Sequence, residues 1–300
     1  MRDRIAGRLW RLGADARRVV RRSGSAVPAL RSMGGPRRSE LLAWHVATSE
    51  HHARYRGEHE PAATSAAIVT VSMRPWLIDD VVANIARQAE HVRVHAVFVT
   101  NHAEFADIDL ERHFAAIPGC TVIESPPGTS LGTALNLGLD ATSERFVAKF
   151  DDDDWYGAGY LADALRAHRY AGAGVVGKHS YYADVADRGR WLRFPGNEFR
   201  YSSTLAGGTL VVDRDRTGSL EFEDRSLGED RAFLAACHRR GVSTFSADRF
   251  CFVQRRGGDN TWTISDEQFI ERCLGVDRDD ADHTVDRPPR NGAVPEGRVT

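Results

Sequence analysis

The sequence predicts an α/β protein with a doubly wound, mostly parallel sheet, and three observations favour this class. Apolar runs rich in β-branched residues alternate with segments of helical period through the first half of the chain. The first run, residues 67–71, is continuously apolar or β-branched, as a strand buried on both faces requires. A run of acids, Asp151–Asp154, follows the fourth predicted strand, and ligands of open α/β sheets bind at the carboxyl ends of strands.

The predicted elements follow in order. Strands are expected at 67–72, 92–99, 120–123 and 145–148, with helices after Pro75, near 110–116 and at 130–139 between them. After the acids we expect a helix to about residue 171, strands at 175–182, 190–194 and 206–212, a helix led by Gly228, and late strands at 244–245 and 250–253. We expect the later strands to form a second, smaller mixed sheet.

Length and composition are those of one soluble domain with a large core. The chain has 300 residues, of which 42% are hydrophobic. It contains no run of 18 apolar residues and no apolar core of a secretory signal, so neither a transmembrane helix nor a leader is expected. Its four cysteines show no Cys-x-x-Cys spacing, which indicates buried thiols in a reducing compartment and no zinc site. We therefore expect a cytoplasmic protein.

Charge is divided unevenly along the chain. Residues 1–38 carry eleven Arg and two Asp, a net charge of +9; the whole chain carries −2, so the remainder carries −11. Such an acidic body argues against bulk binding of nucleic acid. Residues 1–22 place apolar side chains at helical spacing among arginines. This pattern fits an interfacial helix on an anionic membrane, at its inner face, or a basic helix that contacts a partner.

The predicted organisation has three parts: a basic helical extension and linker over residues 1–65, the main domain over 66–275, and a disordered polar tail over 276–300. The extension includes a second short helix within residues 40–60. Four histidines of this helix have no Cys or carboxylate partner at ligand spacing, so we expect them on a solvated face and not at a metal. They are His45, His51, His52 and His59.

The four adjacent acids at the end of the fourth strand repel one another unless a cation lies among them. Hard oxygen ligands favour Mg²⁺ or Mn²⁺, and Mg²⁺ commonly bridges one or two carboxylates to substrate phosphates. A solvated acidic loop is the alternative interpretation. The position at a strand end favours a metal–diphosphate site.

Five segments, in this order, resemble the family 2 glycosyltransferases, which have the GT-A fold. They are Thr70–Pro75, Leu131–Asn136, the acidic run, Gly228–Asp230, and the stretch from Arg255 to Trp262. The acidic run alone is moderately specific for this family. The five segments in this order, on an alternating pattern of strands and helices, are a strong indication of it. The resemblance covers about residues 66–270.

The resemblance implies a nucleotide-sugar donor, a divalent metal and inversion at the anomeric carbon. The family's Asp-x-Asp falls on Asp151 and Asp153 as metal ligands, with Asp152 facing the ribose; the register stays open because every position is Asp. The family's general base falls on Glu229-Asp230, and we expect Asp230 to serve. Two acids that merely complement a helix dipole are the alternative.

The resemblance also places eleven further residues around the nucleotide sugar: Thr70, Ser72, Arg74, Asn101, Asn136, Lys149, Gly207, Gly208, Arg255, Arg256 and Trp262. Many family members carry Asp where this chain has Asn101, so UDP-, GDP- and dTDP-linked donors all stay open. Lys149 either points into the site or is an exposed strand residue. The last three residues are expected to close over the diphosphate, to which Arg can bind in a bidentate way.

The expected function is transfer of a hexose to a hydroxyl of a glycan or lipid-linked acceptor, in cell-surface or capsular polysaccharide synthesis. A sugar-phosphate nucleotidylyltransferase is a rival, but it needs a Gly-rich phosphate loop, which Ser72–Pro75 is not. A glycan- or metal-binding module without catalysis is a second rival. The joint presence of Glu229-Asp230 and Asp151–Asp153 argues against it.

Overall fold

The computed structural model describes residues 52–126, 128–257, 264–271 and 273–276. The predictions for residues 1–51, which include His45 and His51, lie outside the described residues. The same holds for Trp262 and for the tail from 277 onward.

An eight-stranded sheet forms the centre of the domain. Its first half consists of parallel neighbours, in the spatial order β3 (Thr121–Glu124), β2 (Arg93–Thr100), β1 (Ser65–Ser72) and β4 (Phe146–Asp151). Its second half continues with β10 (Val211–Asp213), β6 (Val175–Gly177), β11 (Thr244–Ser246) and β9 (Arg200–Tyr201). Strand β10 runs antiparallel to both neighbours. The predicted mostly parallel sheet is confirmed.

A second sheet of five strands packs beside the first. Its order is β13 (Cys273–Gly275), β8 (Gly189–Arg193), β7 (Tyr181–Val185), β12 (Phe252–Arg256) and β5 (Trp155–Tyr156). It is mixed, since β7 pairs with β8 antiparallel and with β12 parallel. The expectation of a smaller mixed sheet is therefore confirmed.

Helices cover both faces of the large sheet, and the last helix packs against the smaller sheet. They are α1 (52–58), α2 (Ile78–Gln88), α3 (Leu110–His113), α4 (Leu131–Asp140), α5 (Tyr160–Ala171), α6 (Arg214–Thr217), α7 (Glu229–Arg239) and α8 (Asp266–Ile270). Helices α2 and α5 share one core with Ile68 and Phe98. Helices α4 and α7 share the other core with Val69 and Val99. Adjacent residues of β1 thus serve opposite cores, as in a strand buried on both faces.

Two predicted strands differ from the observed ones. The strand expected over 175–182 is divided between β6 and β7, which belong to different sheets. The chain leaves the large sheet at Lys178, whose backbone N–H donates to Thr209 Oγ1 over 2.8 Å. The strand expected over 206–212 is interrupted by a 3₁₀ turn, Gly207–Thr209, so the paired strand β10 starts only at Val211.

Helix α1 packs one face against the domain and exposes the other to solvent. His52 and Tyr55 are buried, and the Tyr55 ring meets the Tyr170 ring edge-on at 5.0 Å between centroids. The expectation of a solvated histidine is wrong for His52. Its partners, Asp163 and Asp248, come from distant parts of the sequence and so escape a search at local ligand spacing.

Candidate active site

The acidic run lies at the carboxyl edge of the large sheet, where β1 and β4 end side by side with Val71 opposite Asp151. Side chains at and just after the end of β1 contact the acidic run. Ser72 Oγ donates to Asp152 Oδ2 over 2.5 Å, and Arg74 Nη1 donates to Asp153 Oδ2 over 2.9 Å. The turn after β1 and the acids after β4 therefore form one site.

The four acids have different environments. The side chains of Asp151 and Asp153 are 33% and 21% exposed, whereas Asp152 and Asp154 are buried. Burial raises the pKa of Asp154 well above its usual value, and the charges of Asp153 and Asp151 add to this shift. Burial also raises the pKa of Asp153, an effect that the Arg74 charge opposes. Asp151 and Asp153 are thus the two acids that a ligand can reach.

Lys149 points into this site, so the alternative of an exposed strand residue is excluded. Its Nζ lies 2.5 Å from Asp151 Oδ1 and 3.8 Å from Glu229 Oε1. Burial favours the neutral amine, but the charges of Asp151 and Glu229 outweigh burial and raise the pKa of Lys149. The buried ammonium links the acidic run to the acidic pair of α7.

The glycine pair Gly207-Gly208 lies between those two sets of acids. A methyl group at Gly208 would lie 2.7 Å from Asp151 Oδ2 and 3.0 Å from Asp154 Oδ2, and one at Gly207 would collide with the Asp230 carboxylate. The Tyr156 hydroxyl fixes the turn, since it donates to the Gly208 carbonyl over 2.6 Å and accepts the Asp151 N–H. Because glycine has no side chain, the carboxylates on both sides can lie close to the backbone of this turn.

The acidic pair opens α7 directly after Gly228, whose φ of 76° suits glycine. Glu229 is buried, and burial raises its pKa while the Lys149 charge opposes the shift. Asp230 is half-buried, and its Oδ1 accepts the N–H of Arg231 over 2.6 Å. Its Oδ2 lies on the Gly207 side, so Asp230 is the more accessible acid of the pair.

Three predicted donor contacts have structural surroundings that sequence reasoning did not show. Thr70 is buried, and its Oγ1 has no hydrogen-bond partner among the described residues. The Asn101 amide bonds at both ends to the 125–129 loop. The Asn136 amide pairs at both ends with the backbone of Phe222, at 2.9 Å each. Both amides brace loops beside the site.

Arg255 and Arg256 have different surroundings, although the sequence predicts that both close over the diphosphate. Arg255 donates its backbone N–H to Asp154 over 3.0 Å, and its Nη1 lies 3.2 Å from an Asp80 carboxylate oxygen. Arg256 is buried under α8, with its guanidinium 4.4 Å above the ring of Phe269. Arg255 thus borders the acidic run through its backbone N–H, which donates to Asp154.

The reachable acids fit a hard divalent cation. Asp151 and Asp153 offer only oxygen ligands, and the missing side chain of Gly208 leaves room beside the Asp151 carboxylate. Two carboxylates are an incomplete ligand set by themselves. This suits Mg²⁺ or Mn²⁺, which complete their coordination with water and substrate phosphates.

A second group could also hold a metal. His52, Asp163 and Asp248 bring three ligand atoms within 4.8 Å of one another. However, Arg56 Nη2 lies 2.6 Å from Asp163 Oδ2, and Lys178 Nζ lies 3.1 Å from Asp248 Oδ1. All three side chains are buried, and Asp163 contacts both His52 and Arg56 of α1, so we assign this group to the anchoring of that helix.

The comparison with known families agrees with this geometry. The family described as Glycosyl transferase family 2 matches residues 67–221, more than half of the chain. The chain belongs to this glycosyltransferase family. No curated protein sequence matches it.

Solved structures share the fold. TarS residues 1–349 of S. aureus, in complex with UDP-GlcNAc, matches with a TM-score of 0.54 and 17% identity over 70% of this chain and 64% of that chain. Mannosyltransferase PcManGT from Pyrobaculum calidifontis, in complex with GDP-Man and Mn²⁺, matches with a TM-score of 0.50 and 14% identity over 87% and 70%. The match spans less than two thirds of the TarS chain. At these identities the similarity establishes the GT-A fold.

None of the helices in the described residues is both long enough and apolar enough to span a membrane.

Proposed function

We propose that this protein transfers a hexosyl group, with inversion, from a nucleotide sugar to a hydroxyl of a glycan or lipid-linked acceptor. The observation that carries the proposal is the glycine pair, which lies against Asp151 on one side and Asp230 on the other. An inverting displacement needs the donor diphosphate and the base at opposite ends of one short reaction path. We infer that the donor sugar lies along Gly207-Gly208.

In this proposal Asp151 and Asp153 hold Mn²⁺ or Mg²⁺, which neutralises the leaving diphosphate as the glycosyl bond breaks. Asp230 accepts the proton of the attacking hydroxyl through its reachable oxygen. Lys149 forms ion pairs with Asp151 and Glu229, so we propose Asp230 as the acid that accepts the proton of the acceptor hydroxyl.

The nucleotide and the sugar follow from neither fold nor site. The solved neighbours hold UDP-GlcNAc, UDP or GDP-Man, which supports a nucleotide-sugar donor and leaves the base open. We propose a role in cell-surface polysaccharide synthesis on the family resemblance.

Calorimetry tests the metal and donor assignments together. UDP and GDP are titrated into the full chain with and without Mn²⁺, and a panel of nucleotide sugars is then screened by thermal shift. We expect Asp153→Asn to abolish metal-dependent nucleotide binding without loss of fold, while Asp107→Asn, at an exposed position, has no effect. Equal affinity of the wild type and the Asp153 variant would remove Asp153 from the site.

A further inference from the structure

Arg74 has an unusual place in the site. It lies on the turn after β1, and its guanidinium spans two neighbouring acids of the run. Its Nε donates to Asp152 Oδ2 over 3.1 Å, its Nη2 bonds the other Asp152 oxygen, and its Nη1 donates to Asp153 Oδ2. Such charge-assisted forked bonds are among the stronger polar contacts in proteins. Asp153, the acid proposed to hold the cation, is therefore already paired with a protein cation.

Arg74 and Lys149 both compensate the acidic run, but the two side chains differ in their freedom to move. Lys149 belongs to a central strand and its side chain is 6% exposed. Arg74 lies just after the end of β1, and its side chain is 14% exposed. A guanidinium binds a diphosphate with the same forked geometry that it uses for a carboxylate. Arg74 can therefore exchange one anion for another, whereas Lys149 is confined.

A divalent cation at Asp153 and the guanidinium of Arg74 compete for the same carboxylate and repel each other at this range. A donor diphosphate removes the conflict, because it offers Arg74 a second anionic partner and offers the metal further oxygens. We infer that Arg74 is an internal counter-ion of the acidic run. It weakens cation binding until a donor diphosphate draws it away, and so makes cation and donor bind cooperatively. This inference rests on the proposed function.

The test is calorimetric titration of Mn²⁺ into the full chain, without nucleotide and with saturating UDP or GDP, whichever binds. Cooperative binding is reciprocal, and couplings of about 5–150-fold are usual. For the wild type we expect Mn²⁺ to bind at least about tenfold more tightly with the nucleotide present. For Arg74→Met we expect Mn²⁺ alone to bind about tenfold more tightly than it binds to wild type, the nucleotide effect to shrink and the nucleotide to bind more weakly.

Two controls separate charge from structure. Arg74→Lys keeps the charge and should stay near the wild type in nucleotide-free Mn²⁺ affinity. Arg112→Met removes one exposed arginine elsewhere on the surface and should change nothing. Circular dichroism and thermal melting verify folding, and Arg74→Gln provides the same readout if the Met variant does not fold.

The possible failures are distinguishable. If the wild type binds Mn²⁺ with nucleotide but Arg74→Met binds Mn²⁺ alone no more tightly than wild type, the counter-ion inference is overturned and the proposed function stands. If neither UDP nor GDP binds, dTDP is tested as well; if the wild type binds no Mn²⁺ in the presence of any of the three, both are overturned.

Discussion

At the scale of single residues, the two acids that open α7 have unequal roles. Glu229 is buried and lies 3.8 Å from the Lys149 ammonium, so its charge is already compensated within the protein. Asp230 is half-buried, and its Oδ2 lies beside Gly207. This difference agrees with the choice of Asp230 as the proposed base.

We predict that Asp230→Asn lowers kcat by about 10² or more, the effect of losing a general base, while donor affinity is unchanged. A base acts only when the acceptor attacks, so it adds nothing to the donor complex. Steady-state kinetics together with nucleotide calorimetry measure the two quantities separately. Glu229→Gln should do less; if it does more, the base is Glu229, and small effects from both would place the base elsewhere.

The glycine pair supports a second prediction. A methyl group at Gly208 would lie 2.7 Å from Asp151 Oδ2, so Gly208→Ala should displace the Asp151 carboxylate and abolish Mn²⁺-dependent nucleotide binding. Gly57→Ala is the matched control, because a methyl group there meets nothing within 4 Å. Calorimetry with UDP and GDP checks both variants. Normal binding by the Gly208 variant would show that the turn does not border the donor.

At the scale of elements, α1 is tied to α5 by buried charge. Arg56 and His52 both contact Asp163 near the start of α5. Burial alone would raise the pKa of Asp163, but the hydrogen bond from His52 and the charge of Arg56 outweigh it and lower the pKa. The ionised carboxylate is thus the form that holds α1 in place.

The sign of this shift sets a pH dependence. A carboxyl with a lowered folded pKa stabilises the fold above its unfolded pKa, about 3.9, and this stability is lost as the pH falls from there toward the folded pKa. We therefore expect the stability difference between wild type and Asp163→Asn, from urea unfolding, to be large at pH 7 and to shrink below about pH 4. Asp107→Asn is the control. A difference that does not change with pH would mean that the Asp163 charge does not anchor the helix.

At the scale of the whole molecule, the boundary between extension and domain has a consequence for truncation. Helix α1 falls in the predicted extension, over residues 1–65, yet His52 and Tyr55 are part of the packed domain. A chain that begins at residue 60 would lose these contacts. A chain that begins at residue 50 would keep them and still lack the basic residues 1–22.

We predict that the chain starting at residue 50 keeps its melting temperature and donor binding but loses binding to anionic vesicles that the full chain binds at low salt. The chain starting at residue 60 should melt at a lower temperature. Vesicle sedimentation and thermal unfolding measure the two effects. A full chain that does not sediment with vesicles at low salt would leave the partner interpretation for residues 1–22.

The fold class, the order of elements and the location of the acidic run could be predicted from the sequence, because they depend on local periodicity and on where strands end. The acidic run and the Gly228-Glu229-Asp230 segment could be recognised from the sequence because each motif consists of adjacent residues. Family membership and the GT-A fold are confirmed.

Only the tertiary structure decided which partner each charge has. The pairing of Arg74 with Asp152 and Asp153, of Lys149 with Glu229, and of His52 with Asp163 joins residues that are far apart in the sequence. The division of residues 175–182 between two sheets also involves a residue distant in the sequence, since Thr209 Oγ1 accepts a hydrogen bond from the N–H of Lys178. Periodicity specifies the face on which a side chain lies, but its partners depend on which distant segments the packed core brings to that face.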